Sequence, residues 1–193
     1  MKEILIATSN KYKQKKLSEI VEGFFIPKKI EILEPVEEKG ESFKEIAENK
    51  AVEYSKIHNC LAISTDGGAI IPALSKWEPL RTRRFGNTDE ERINSLLEMM
   101  KDVENRTLEW HEALAVAENG KLLFSFQERA MDGTVSTSFD PKKYEEGIWL
   151  CSLTDFPQFG GRNYFDLNTK EKAATEDSWS NLKEKFGEFM KEP

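Results

Sequence analysis

The sequence predicts an α/β protein: a mixed, twisted central sheet with flanking helices, arranged as two lobes with a cleft between them. Three observations predict it. Ile4 to Ala7 is a short apolar run of the kind a buried strand uses, and Leu17, Ile20, Val21 and Phe24 follow it at helical spacing. Leu61 to Thr65 is a second such run, preceded by another amphipathic helix. Further on the pattern changes to partial alternation on either side of Asn119-Gly120, the strongest short hairpin signal.

The totals set the limits. A chain of 193 residues holds one good core in a single two-lobed domain and is too short for two ordinary domains with a linker. It is 38% hydrophobic and 33% charged, an ordinary globular composition, and its net charge of −7 argues against nucleic-acid binding, which depends on neutralising phosphates. Cys60 and Cys151 stand far apart with no metal-type spacing, so free thiols in a reducing compartment are expected. The opening residues read as a strand rather than a signal peptide, and no apolar run approaches a membrane span. The expected setting is the cytoplasm, with no membrane partner.

Between the first strand and the first helix lies Thr8-Ser9-Asn10-Lys11-Tyr12-Lys13, and four lysines fall between positions 11 and 16. Lysine in a first turn opposes the helix macrodipole. Such a turn is either a solvated basic surface or a place where an anion meets backbone N–H groups and ammonium charges together. There is no P-loop motif. Ile30 to Leu33 reads as a short strand, followed by an acidic loop from Glu34 to Glu41. Ser42 caps the next helix, with Glu45 completing a capping box. Its apolar face carries Phe43, Ile46, Ala47, Ala51, Tyr54 and Ile57, and Lys50 falls inside that stripe. A lysine there either snorkels to solvent or meets a buried anion.

Asp66-Gly67-Gly68 follows the strand Leu61 to Thr65. It is a simple turn or, at the carboxyl end of a strand where α/β ligands gather, a metal ligand beside two glycines. Arg81, Arg83 and Arg84 form a solvated loop, a subunit contact or an anion clamp. Thr88 with Glu91 makes a second capping box ahead of Ile93, Leu96, Leu97 and Met100. Leu108 to Val116 and Leu122 to Phe126 are the arms of the hairpin, and Asp132-Gly133 turns into Thr134-Val135-Ser136; this 107–138 meander is assigned to the second lobe. His111 and His58 are read as structural. Gly147 to Cys151 reads as a late apolar strand, and from Ser178 a last helix docks Trp179, Leu182, Phe186 and Phe189 on the core.

Together these segments resemble the inosine/xanthosine triphosphate pyrophosphatase family, hydrolases of non-canonical purine nucleotides. The family's Thr-Gly-Asn-x-x-Lys appears here as Thr8-Ser9-Asn10-Lys11-Tyr12-Lys13. Its spacing of acidic residue, glycine, phenylalanine, glutamate and Lys-Ala matches Glu37, Gly40, Phe43, Glu45, Lys50 and Ala51. Its Asp-Asp-Ser-Gly appears as Thr65-Asp66-Gly67-Gly68, with the first carboxylate replaced by Thr65. Trp149 to Ser152 stands in place of an aromatic-Asp-Pro segment and lacks the aspartate. Lys172 matches a family lysine, but Glu176-Asp177-Ser178 occupies the place of the Ser-His-Arg that reads the 6-oxo edge of the base.

The resemblance implies Mg²⁺-dependent hydrolysis of a nucleoside triphosphate to the monophosphate and pyrophosphate. It places Thr8, Asn10, Lys13 and Lys50 on the phosphates, Trp149 and Lys172 on the rest of the nucleotide, and Glu37 and Asp66 on the metal. Asp66 and Lys50 are the expected catalytic residues, with Glu45, or else Glu41, standing in for the carboxylate lost at Thr65. A homodimer is expected, and the base preference should differ from inosine and xanthosine. The alternatives are a nucleotide-binding protein of the same fold with impaired catalysis, and an interaction protein that keeps only the fold.

Overall fold

The computed structural model describes residues 1–29 and 35–191; the strand expected at Ile30 to Leu33 lies outside the described residues. The chain forms two units. The first comprises Met1–Gly67, His111–Arg129 and Ser178–Pro193, and the second Gly68–Trp110 and Ala130–Asp177.

In the first unit, strand β1 (Glu3–Ile6) runs parallel to β2 (Ile26–Lys28) and to β3 (Leu61–Ile70), opposing Leu5 to Ala62 and Ile6 to Ile63. The order continues through β4 (Thr107–Glu118) to β5 (Lys121–Arg129), which pairs antiparallel with β4. Helices α1 (Lys11–Val21), α2 (Phe43–Ile57) and α5 (Asp177–Phe189) accompany this sheet.

Strand side chains alternate between faces, and here both faces are covered. Ile4, Ile6, Leu61, Ile63, Leu114 and Val116 pack with Leu17, Ile20 and Val21 of α1 and with Trp179, Leu182 and Phe186 of α5. The other phase of the same strands, Leu5, Ala7 and Ala62, packs with Tyr54 of α2. Continuous apolar runs are what a strand buried on two sides requires. Phe186 is fully buried and meets Phe24 edge-to-face at 5.6 Å.

The second unit holds α3 (Asp89–Met99), capped by the expected Thr88–Glu91 box, and antiparallel strands β6 (Gly133–Val135), β7 (Thr154–Phe156) and β8 (Arg162–Asn163) beyond β4. Its core gathers Ile93, Leu96, Met100, Leu108, Val135, Leu150 and Leu153. The Arg106 guanidinium ties its segments together, donating at 2.7 Å to the carbonyls of Met100, Val135 and Ser136. Helix α4 (Thr169–Thr175) starts at the Asn168 cap.

Four expectations are corrected. The Asn119-Gly120 hairpin forms as read, with both residues at positive φ, but it belongs to the first unit; only residues 107–110 and 130–138 of the meander lie in the second. Asp66-Gly67-Gly68 is not a turn, because β3 continues through it to Ile70. The run Gly147 to Cys151 forms no strand: Trp149–Leu153 is a short 3₁₀ helix, whose three-residue turn puts Leu150 and Leu153 on one buried side. Ile57, at the end of α2, is exposed.

The packing makes a definite prediction. Phe186→Ala should lower the stability of the folded chain by about 3–5 kcal/mol, the cost of an aromatic removed from a closed core. The measurement is the shift of the urea unfolding midpoint, with Phe189→Ala, at a partly buried position, costing less.

Candidate active site

Two lysines and two carboxylates converge around the middle of β3. The parity of the strand explains how. Thr65 continues the phase of Leu61 and Ile63, toward α1 and α5, while Ser64 and Asp66 continue the phase of Ala62, toward α2. The buried Ser64 hydroxyl accordingly donates to the Ala47 carbonyl of α2 at 2.5 Å. Lys50, one helical turn beyond Ile46 and Ala47, reaches Asp66: its Nζ donates to the Asp66 Oδ1 at 3.3 Å and to the Thr65 carbonyl at 3.0 Å. Its stem lies in the apolar stripe and the side chain is only 12% exposed, so the buried anion, not snorkelling, is the outcome.

On the other phase, Thr65 Oγ1 hydrogen-bonds the carboxylate of Glu112. Glu112 shares the register phase of Leu114 and Val116 on β4 and is buried with them. Its Oε1 lies 3.2 Å from Nζ of Lys13, in the first turns of α1. Lys13 is positioned by the turn that precedes it. Asn10 caps α1, its Oδ1 accepting the Lys13 backbone N–H at 3.1 Å, and the Asn10 N–H donates to Thr8 Oγ1 at 3.3 Å. Glu38 of the acidic loop stands 3.6 Å from Lys50 Nζ.

Burial pushes the carboxyls of Asp66 and Glu112 above the ordinary carboxylate range, although Lys13 acts on both in the opposite sense and Lys50 on Asp66. Burial works against the Lys13 charge too, but Glu112 and Asp66 outweigh it and hold its ammonium above the usual lysine value. The cluster is thus a largely desolvated, mixed-charge site in which the Lys13 ammonium is held charged while Asp66 and Glu112 lack the solvation they need.

Of the residues expected from sequence, Thr8, Asn10, Lys13, Lys50 and Asp66 are brought together in the first unit. Glu37 instead pairs with Lys39 at 3.0 Å and is 77% exposed, and its neighbour Glu38 is the loop carboxylate beside Lys50. Glu45 is exposed at the start of α2, where it accepts the Glu41 N–H at 2.7 Å; Ser42 caps the helix, but the reciprocal bond of a capping box is replaced by this one. Trp149 and Lys172 belong to the second unit: Trp149 packs on its core, and the Lys172 ammonium lies over the rings of Tyr164 and Phe165 at 4.9 and 5.4 Å. Arg84 pairs with Glu78 at 2.8 Å. His111 stacks on Phe43 and His58 on Tyr54. The residue the sequence reading missed is Glu112. It is a carboxylate in the apolar phase of a buried strand, an anomaly that shows only once the pairing of β4 fixes that phase.

Among the described residues no three His, Cys, Asp or Glu side chains gather closely enough to hold a metal ion by themselves. The oxygen donors present do suit a hard cation that keeps waters and takes further ligands from substrate phosphates.

In class the chain is an α/β protein whose lysines and carboxylates gather beside a strand-to-helix turn. Residues 4–147 match the model of the Ham1 family, and the chain belongs to that family. It is 30% identical over 142 residues to a dITP/XTP pyrophosphatase of Prochlorococcus marinus, covering 70% of this chain and 68% of that one. It is 33% identical over 126 residues to the dITP/XTP pyrophosphatase of Bacillus anthracis, covering 61% of this chain and 62% of the relative. Among solved structures, a HAM1 protein from Coxiella burnetii superposes with a TM-score of 0.79 at 25% identity, over 97% of this chain and all of that one. The Staphylococcus aureus Ham1 protein shares the fold at a TM-score of 0.77 and 22% identity, over 97% of this chain and 98% of that one.

The charge pairing predicts a pH-dependent defect. Lys13→Met leaves Glu112 buried without its cation, which drives its carboxyl still higher. A carboxyl raised on folding binds more protons in the native than in the unfolded state, so stability falls as pH rises from the unfolded value through the folded one. The deficit of Lys13→Met relative to wild type should therefore be small near pH 4 and reach about 3 kcal/mol at pH 8, read from urea unfolding at both pH values.

Proposed function

We propose that this protein hydrolyses a nucleoside triphosphate to the monophosphate and pyrophosphate. The observation that carries this reading is the convergence of Lys13 and Lys50, from helices on opposite faces of the sheet, on the half-buried Asp66 of β3, beside a turn built by Thr8 and Asn10. Two ammonium groups held in a desolvated site are suited to the charge that develops on phosphoryl oxygens. Family membership supports the same reaction class.

A divalent cation fits the donor set, because Asp66 is a carboxylate deprived of water, and Mg²⁺ is the cation such oxygen ligands favour. Asp66 would hold it, with Glu38 as the loop carboxylate in place of Glu37. Bound there, the ion would neutralise phosphate charge and polarise the scissile anhydride. Thr8 and Asn10 hold the turn, and Lys13 and Lys50 bind and orient the phosphates. The nucleotide-binding role of Trp149 and Lys172, both in the second unit, is carried by the family resemblance alone, as is the cytoplasmic homodimer.

Base choice follows from the residues replacing His-Arg. Asp177 Oδ1 is buried and has no hydrogen-bond partner among the described residues, and Ser178 is buried beside it. An acceptor in that condition favours an exocyclic amino group over a 6-oxo group, since a mismatched ligand leaves buried polar atoms unpaired. The ratio of kcat/KM for ITP over ATP should stay below about 100-fold, or about 2.7 kcal/mol of discrimination. A larger preference for ITP would remove Asp177 from the base site.

A pyrophosphate-release screen over canonical and modified nucleoside triphosphates with Mg²⁺ tests the reaction. Turnover should vanish with EDTA, and Lys50→Ala and Asp66→Ala should each lose at least about 100-fold while remaining folded. Near wild-type turnover in either variant would place the site elsewhere. Nucleotide binding without turnover would leave the impaired-enzyme reading, and sedimentation of a monomer at micromolar concentration would remove the dimer.

A further inference from the structure

The geometry points to Glu112 as the carboxylate that takes the proton of the attacking water, so that β4 supplies the group that β3 lacks at Thr65. This inference rests on the hydrolytic reading above.

Three observations carry it. The first is placement. Glu112 is 9% exposed, sits in the phase of strand β4 that otherwise carries Leu114 and Val116, and meets Lys13 at 3.2 Å and the Thr65 hydroxyl. Stability alone does not call for it, because a buried ion pair replaced by apolar residues of similar volume leaves a fold no less stable in many cases.

The second is space. A Cβ at Gly67 would lie 2.5 Å from the Glu112 carboxyl carbon and 2.6 Å from the His111 carbonyl oxygen, closer than either contact allows. The glycine in mid-strand is thus the room in which the carboxylate sits, and position 65 faces the same space. A carboxylate at 65 and one at 112 would crowd each other, so a site of this shape holds one of them.

The third is hydrogen bonding. Thr65 Oγ1 has one proton and two acceptors in reach, the Glu112 carboxylate and the Ala113 carbonyl at 2.6 Å. When Glu112 is ionised, the hydroxyl donates to it. When Glu112 is protonated, it donates to Thr65 Oγ1 and the hydroxyl turns to Ala113. Both protonation states are satisfied without movement of the backbone, which is what a group that gains and loses a proton in each cycle needs.

The other carboxylates are occupied differently. Asp66 is bonded to Lys50, Glu38 is 48% exposed beside the same lysine, and Glu45 accepts a backbone N–H at the start of α2. In the proposed step the water oxygen forms a bond to phosphorus as the bridging P–O bond of the α–β anhydride breaks. The bond's electron pair leaves on the bridging oxygen, and the water proton passes to the Glu112 carboxylate.

The test is an exchange of the carboxylate between strands. Glu112→Gln preserves shape and hydrogen bonding, and should lower kcat at least about 100-fold while KM and the affinity for a non-hydrolysable triphosphate analogue change less than about threefold. Thr65→Asp in the wild-type background should be impaired by the crowding of two carboxylates. The double variant Thr65→Asp/Glu112→Gln should recover at least about tenfold in kcat over Glu112→Gln, since the base is restored from the neighbouring strand. A Glu112→Gln protein with kcat within about threefold of wild type, or with its loss confined to KM, overturns the inference and leaves the hydrolytic reading intact. Should that single variant not fold, the double variant decides alone: turnover supports the inference and its absence overturns it. A wild-type protein that turns over no nucleoside triphosphate overturns both readings.

Discussion

Two lysine–carboxylate pairs are removed from water together, and the arrangement of the first unit depends on that constraint. Desolvating four charges costs several kcal/mol each unless every one finds a partner of good geometry. The partners come from four different elements: Lys13 from α1, Lys50 from α2, Asp66 from β3 and Glu112 from β4. No single element satisfies its own charge, so each pair forms only when helices and strands are docked in register. The apolar layers on both faces of the sheet supply the energy that holds them there, and alternation along β3 decides which helix meets which carboxylate.

The parts of this design legible in the sequence were those with a strong period. Continuous apolar runs marked β1 and the start of β3, and stripes at helical spacing marked α1, α2, α3 and α5. Asn119-Gly120 marked the β4–β5 turn. Lys50 was legible as an anomaly because a helix stripe is long enough to show an intruder. Glu112 was not, because the alternation of β4 is blurred by a run of alanines, Ala113, Ala115 and Ala117, and a glutamate beside a histidine reads as an outward face. Only the pairing of β4 with its neighbours fixes its phase.

Glycine misled for a related reason. Asp66-Gly67-Gly68 carries the composition of a turn, yet β3 runs straight through it. Glycine is disfavoured inside a strand because it has no side chain to pack, and its presence there marks a close approach by something else. At Gly67 the approaching group is the Glu112 carboxylate, contributed by a strand much later in the chain, and local propensity holds no record of it. The run 147–151 failed in the opposite way. Its apolar residues suit a strand equally well, and only the three-residue spacing of Leu150 and Leu153 against one core distinguishes the 3₁₀ turn that forms.

The same charge pairing bears on how a substrate would enter. In the structure both lysines already face carboxylates, so a bare triphosphate would have to displace an anion from each ammonium and leave that anion buried without a partner. A triphosphate accompanied by its cation avoids this penalty. Under the proposed reading the ammonium groups turn to phosphate oxygens, while Asp66 and Glu38 would meet the cation in their place. Under that reading metal dependence belongs to binding as well as to chemistry, because a carboxylate that gives up its lysine needs another cation.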